Sequence, residues 1–204
     1  MRRLWLASIL VALPVAATAF TFTEPGDGEL SGDRLVPTSF VAALGANTLI
    51  GTTIAGDLEY VHISLPSGYE LASLILNSVT SADDVAFIAL QQGTTFSVAP
   101  AGATPGVLLG YGHFGTGPLA GGATPGNDML DDLCTAADAI GCLPPLGASD
   151  YTFWIQQTGA QSYGYSLNFV VIPEPGSFVL LGLGVLGVVG WRRLRVDRGA
   201  ISTI

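Results

Sequence analysis

Residues 163–171 read YGYSLNFVV, and this stretch decides the fold. Large apolar or aromatic side chains occupy every second position for nine residues, and most positions between them are small or polar. Because successive side chains of a strand point to opposite faces of a sheet, this alternation predicts a strand with one buried face. The residues expected to face a core are Tyr163, Tyr165, Leu167, Phe169 and Val171.

Similar short segments lie upstream, separated by turn signals such as Pro66-Ser67-Gly68. Residues 59–65 and 151–155 alternate in the same way, and residues 85–90 are apolar on both faces, as in a central strand. The pattern predicts an all-β protein, an antiparallel β-sandwich of jelly-roll-like form. The remaining predicted strands are residues 47–53, 71–78 and 107–111.

Two other parts of the body carry weaker signals. Residues 20–37 are rich in glycine, proline and acidic residues and predict an irregular lead-in with one or two strands. A short helix is predicted to run from a cap at Asn127 to Leu133, because Asp128 and Asp131 would lie in its first turn.

The amino terminus has the features of a secretory signal peptide. Two arginines precede an apolar run over residues 4–15, and Ala17 and Ala19 form a cleavage site of small residues. Residues 1–19 are therefore predicted to form a signal peptide that is cleaved after Ala19. An uncleaved membrane anchor is the alternative, and Pro14 argues against it.

The carboxyl terminus begins with the tripeptide Pro173-Glu174-Pro175. Each proline fixes its own φ and disfavours the α region in the preceding residue, so no helix is expected to start before Gly176. An uncharged run to Trp191 then predicts a transmembrane helix over residues 177–194. Its eighteen residues would span about 27 Å, close to the hydrocarbon thickness of about 30 Å.

A basic cluster over residues 192–198 follows the apolar run. Positive charges at this end act as a stop-transfer signal and predict a cytoplasmic C-terminus, with the body of the protein outside. The order of tripeptide, apolar run and basic cluster resembles the PEP-CTERM sorting signal, here spanning residues 173–198. The residues that carry the stop-transfer signal are Arg192, Arg193 and Arg195.

That resemblance implies a partner and a route. An exosortase would process the chain near the tripeptide while the apolar helix holds the precursor in the inner membrane. The body, residues 20–172, would then pass to the cell surface or to the extracellular matrix.

The body is strongly acidic. All seven basic residues of the chain are arginine, and only Arg34 lies in the body. The body contains fourteen acidic residues, so its formal charge is −13. Nucleic-acid binding needs a basic surface, so this composition excludes a nucleic-acid partner.

Cys134 and Cys142 are the only cysteines, and in an exported chain so close a pair predicts a disulfide. A zinc site is disfavoured because only His62 and His113 are available as further ligands of the usual kinds, and both are distant in sequence. No metal and no cofactor is predicted.

Several stretches of the body resemble the bacterial pre-peptidase C-terminal domain, a small β-sandwich of secreted proteins. They are GDLEYV at 56–61, LPSGYEL at 65–71, DDVAFI at 83–88, and YTFWI at 151–155 followed by YSL at 165–167. The sequence departs from that family at residues 61–63 and in a long Gly- and Pro-rich middle. The resemblance implies a fold and no activity.

No catalytic arrangement is recognisable in the body. His62 is expected on the outward face of its strand and His113 in an exposed loop, and the acidic pairs Asp83-Asp84 and Asp131-Asp132 are typical of solvated turns. The sequence predicts a non-enzymatic surface or matrix protein. A carbohydrate-binding module, with outward Tyr60, Trp154 and Gln156 in contact with an exopolysaccharide, is the alternative, and an exported hydrolase comes third.

Overall fold

The computed structural model of the protein describes residues 18–102, 104–157 and 159–176. Within these residues nine strands form two sheets that pack against each other. The strands are β1 Thr21–Thr23, β2 Thr38–Val41, β3 Gly45–Thr53, β4 Leu58–Ser64, β5 Tyr69–Thr80, β6 Val85–Gln92, β7 Gly110–Gly115, β8 Asp150–Gln156 and β9 Tyr163–Pro173. One short helix, α1 Leu130–Cys134, and two 3₁₀ turns, Pro105–Val107 and Pro118–Ala120, lie between β6 and β8.

Sheet A has the strand order β1-β3-β9-β5, and sheet B has the order β2-β4-β8-β6-β7. Strands β3 and β4, β4 and β5, and β8 and β9 are consecutive in sequence but belong to opposite sheets, so the chain crosses repeatedly between layers. The predicted β-sandwich is confirmed. The expectation of wholly antiparallel sheets is wrong at two edges, since β1 runs parallel to β3 and β2 parallel to β4.

Strand β9 is the centre of sheet A, paired with β3 on one side and β5 on the other. Its burial alternates as predicted, and Leu167 and Phe169 are fully buried while Ser166 and Asn168 are half-buried on the other face. The Phe169 ring meets Phe153 of β8 at a centroid distance of 5.1 Å in an edge-on arrangement, which joins the two sheets across the core.

The segment between β6 and β8 departs from its predicted structure. Residues 105–107 form a 3₁₀ turn, and the strand starts at Gly110 rather than at residue 107, because two prolines and several glycines interrupt the ladder there. The helix starts at Leu130, and Asn127 does not cap it. Instead, Asp128 Oδ1 accepts hydrogen bonds from the backbone N–H groups of Leu130 and Leu74, at 3.0 and 2.9 Å.

Cys134 and Cys142 are joined by a disulfide, which ties the end of α1 to the chain that follows. The oxidation state of this pair in the exported protein stays a prediction. Among the described residues, no helix is long and apolar enough to cross a membrane. Ala17, the predicted helix over residues 177–194 and the arginines of the tail lie outside the described residues.

Candidate functional site

The tripeptide Pro173-Glu174-Pro175, predicted to be a sorting motif, begins inside the folded body. Strand β9 continues to Pro173, which pairs with Tyr69 of β5, and the backbone N–H of Glu174 donates to the Gly68 carbonyl at 2.9 Å. The two prolines predict that the tripeptide is excluded from a central strand, and this is wrong for Pro173, the last residue of β9. Because β3 ends its pairing at Val171, Pro173 has a paired neighbour on the β5 side only, and such a position tolerates a missing N–H.

The remainder of the tripeptide turns away from the sheet. Glu174 is half-buried and Pro175 is exposed. Residues 175–176 are helical, so the expectation that no helix starts before Gly176 is wrong by one residue, since proline is well tolerated in the first position of a helix. An enzyme that acts here must approach a peptide that adjoins the end of the sandwich directly, with no free linker between them.

A hydrogen-bonded chain crosses three neighbouring strands on the outer face of sheet B. The hydroxyl Oγ of Ser39 on β2 lies 3.1 Å from His62 Nδ1 on β4, and His62 Nε2 lies 2.9 Å from Asp150 Oδ1 on β8. The sequence analysis missed this set, because its members are 23 and 88 positions apart and only the strand order brings them together. His62 does face outward, but it is 9% exposed rather than open to solvent.

The polarity of this chain follows from the charge of Asp150. The hydrogen bond from His62 lowers the pKa of the Asp150 carboxyl, and a hydrogen bond from Ser64 adds to the effect. The ionised carboxylate accepts a hydrogen bond from Nε2–H of His62, and when Nδ1 carries no hydrogen it accepts a hydrogen bond from the Ser39 hydroxyl. The Ser39 hydroxyl also lies 3.3 Å from the Pro37 carbonyl oxygen. This arrangement ties the edge strand β2 to the middle of sheet B.

A buried carboxyl lies at one end of the core. Glu59 on β4 has no exposed surface, and the Tyr165 hydroxyl donates a short hydrogen bond to its Oε2. Burial, reinforced by the nearby charges of Glu24 and Asp57 and opposed by the hydrogen bond from Tyr165, raises the pKa of Glu59 to about 9. At neutral pH this side chain is therefore an uncharged acid.

The surface depressions on the described part of the sandwich include the following three. One, of about 450 Å³, lies on sheet A and is lined mainly by small hydroxyl side chains such as Thr52, Ser78 and Thr80. The other two, of about 260 and 200 Å³, lie on the outer face of sheet B and share Phe87 and Gln156. None of these three depressions is lined by Ser39, His62 or Asp150.

Tyr60 and Trp154, predicted to be available for sugar stacking, are covered. They are 1% and 3% exposed and pack with Phe96 and Leu108, because the segment from β6 to β7 folds over the outer face of sheet B. Gln156 is half-buried at the edge of this cluster. His113 is exposed as predicted, but it lies in strand β7 rather than in a loop.

The acidic pairs serve the local structure. Asp83 Oδ2 accepts hydrogen bonds from the Gln157 side chain and the Gln161 backbone, both at 3.2 Å, and so holds the turn before β9. Asp131 and Asp132 lie in the first turn of α1, where acidic residues complement the helix dipole. The part of the chain that the structure describes contains no group of three His, Cys, Asp or Glu residues able to hold a metal ion.

Comparison with known proteins identifies one segment, at the junction between the end of β9 and the C-terminal tail. Neither a curated protein nor a solved structure matches the chain significantly, and the resemblance of the body to the pre-peptidase C-terminal domain stays a prediction. Residues 171–195 match the PEP-CTERM protein-sorting motif. That stretch starts in the last residues of β9 and includes the tripeptide and the first arginines of the tail. The chain therefore carries a C-terminal sorting signal that marks an exported, membrane-processed target of an exosortase.

Proposed function

We propose that this protein is a non-enzymatic component of the cell surface or extracellular matrix, delivered as a membrane-anchored precursor. An exosortase processes it near Pro173-Glu174-Pro175 and releases the sandwich from its anchor. The observation that carries the proposal is the sorting motif at residues 171–195, joined without a linker to the central strand of sheet A.

The composition of the body supports an extracellular role. A formal charge of −13 over residues 20–172 favours solubility and suits neither nucleic acid nor an anionic membrane surface. The disulfide between Cys134 and Cys142 suits an oxidising compartment.

Glu174 is the residue to test, since it is the only charged residue between Asp150 and Arg192. We expect Glu174→Ala to be exported and inserted normally but to stay in the membrane fraction, whereas the wild type reaches the surface or matrix fraction. The variant keeps the backbone N–H that bonds to Gly68, so the sandwich should remain folded. Immunoblots of fractionated cells measure the distribution.

Glu29→Ala is the matched control, because Glu29 is an exposed glutamate of the same body far along the chain from the junction. It should distribute like the wild type. Release of Glu174→Ala to the surface at the wild-type level would show that the tripeptide is not the recognition element.

The non-enzymatic part of the proposal concerns the Ser39–His62–Asp150 chain. Nucleophilic catalysis needs a substrate cavity and donors for an oxyanion beside the serine. Ser39 lies on an exposed edge strand, and its hydroxyl has the Pro37 carbonyl as a second partner, so a structural role accounts for the three contacts. Covalent labelling of Ser39 by a fluorophosphonate would contradict this assignment.

A further inference from the structure

We propose that the outer face of sheet B binds an uncharged hexopyranose polymer at a surface we call the Phe87 groove. Its defining residues are Phe87, Leu108, Tyr111, His113, Trp154 and Gln156. The inference deepens the proposed matrix role, on which it rests, by assigning the class of ligand.

The register of three strands builds the groove. Gln156, Phe87 and His113 lie side by side on β8, β6 and β7, and the next outward row is Trp154, Ala89 and Tyr111. Ala89 itself is buried, and the depression on this face is lined by Tyr111, Leu108, the edge of the covered Trp154 and the half-buried Phe87. A second depression lies on the other side of Phe87, next to His113.

The aromatic side chains of the groove are held in place. The Phe87 ring packs edge-on against Trp154 at a centroid distance of 5.0 Å and against His113 at 5.9 Å. The Tyr111 hydroxyl donates to the Ala137 carbonyl at 2.7 Å, which fixes that ring on the opposite wall. Fixed rings lose little conformational entropy when a ligand binds, and their electron-rich faces suit the C–H groups on the flat side of a pyranose.

The groove also contains polar groups. The half-buried Gln156 side-chain amide can both donate to and accept from a sugar hydroxyl. The buried Trp154 Nε1–H has no acceptor among the described residues. Buried donors are usually paired in a finished core, so this unpaired donor distinguishes the wall of the groove.

Charge and size define the ligand class. None of the defining residues is acidic or permanently charged, and the body carries −13, so it repels an anionic glycan. The two depressions, about 260 and 200 Å³, are open and smaller than typical enclosed small-molecule pockets. A linear neutral polymer, with successive rings on either side of Phe87, fits this shape better than a single enclosed metabolite.

The test uses the full chain, purified in a polyoxyethylene detergent that has no sugar headgroup. Retention is measured on cellulose, on curdlan and on the anionic polymer alginate. We expect retention on at least one neutral polymer and none on alginate, with Phe87→Ala weakening retention about tenfold. Gln156→Glu, which adds a charge and leaves the rings in place, should weaken it as well.

Ile50→Ala on the outer face of sheet A is the matched control, since it also removes a large apolar side chain from an outer sheet face and should retain normal binding. Thermal melting identifies a variant that fails to fold. If Phe87→Ala fails to fold, the retention of Gln156→Glu tests the proposal instead. The proposal is overturned by no retention on either neutral polymer, by equal retention on alginate, or by unchanged binding of both folded groove variants. It is also overturned if the protein is a dimer that Phe87→Ala dissociates, because the groove would then be a contact between two copies of this chain. These results are independent of Glu174→Ala fractionation, which tests sorting alone.

Discussion

At the scale of single residues, the most unusual side chain is Glu59. It shares the inward face of β4 with Val61 and Ile63, so strand alternation places a carboxyl in the core. Tyr165 crosses to reach it, and a Cβ on Gly51 would collide with the Tyr165 hydroxyl, so glycine at position 51 makes the contact possible. Glu24 lies close by and uses both carboxylate oxygens to hold the backbone N–H groups of Leu30 and Thr52.

This buried acid predicts how stability depends on pH. Folding raises the pKa of Glu59 from 4.5 to about 9, so its contribution to stability is fully present below pH 4.5 and is lost as the pH rises through about 9. We expect the melting temperature to fall between about pH 5 and about pH 9. Glu59→Gln keeps the size and shape of the side chain but cannot ionise. Its melting temperature should fall less over this range and should be higher than that of the wild type at the alkaline end.

Circular dichroism melts across that pH range measure the effect. Asp131→Asn, at an exposed position of α1, is the control and should follow the wild-type profile. Identical pH profiles for Glu59→Gln and the wild type would show that Glu59 is already ionised in the folded protein.

At the scale of elements, β9 determines the register of sheet A. Leu167 lies opposite Leu49 of β3 and Leu76 of β5, and all three are fully buried. Ser166 lies on the other face, where its hydroxyl accepts a hydrogen bond from Asn77 Nδ2 at 3.2 Å. Adjacent positions of one strand therefore have opposite environments.

We expect Leu167→Asp to cost at least about 3 kcal/mol of unfolding free energy, because it puts an unpaired charge in the core and removes a buried leucine. Ser166→Asp should cost about 1 kcal/mol or less, since it loses one exposed hydrogen bond. Urea unfolding curves of the two variants measure the difference. Equal midpoints would mean that β9 does not present Leu167 to the core.

At the scale of the whole molecule, the pairing of sheet A is complete at the point where the chain leaves the sandwich. Strand β9 keeps its pairing with β5 up to Pro173, and the Glu174 N–H bonds to Gly68. A cut beyond Glu174 would therefore leave sheet A complete. The half-buried Glu174 and exposed Pro175 lie where the chain leaves the sandwich.

We expect the protein recovered from the cell surface to lack residues 192–204 and to melt at the same temperature as the precursor. Intact-mass spectrometry without reduction measures the C-terminal end and the Cys134–Cys142 bond together. A surface form that still carries the arginines would identify the tail as a permanent anchor.

The sequence by itself determined the features that depend on local order along the chain. Period-two alternation in 163–171 predicted the core face of β9, since the pleat of a strand alone decides which side chains share a face. The sorting signal was equally readable, because a tripeptide, an apolar run and a basic cluster act in linear order. The end of β9 was predicted at Val171 but lies at Pro173. The sequence does not show that β3 stops pairing at Val171, which leaves room for a proline two residues later.

Only the tertiary structure decided which distant residues meet. The strand order β2-β4-β8 brings Ser39, His62 and Asp150 into one hydrogen-bonded chain, and the segment from β6 to β7 covers Trp154 on a face that alternation marked as outward. The physical reason is that alternation specifies a face but not what packs on it. Sheet order and loop path are set by burial summed over the whole molecule, and they created the Phe87 groove from residues that no local motif connects.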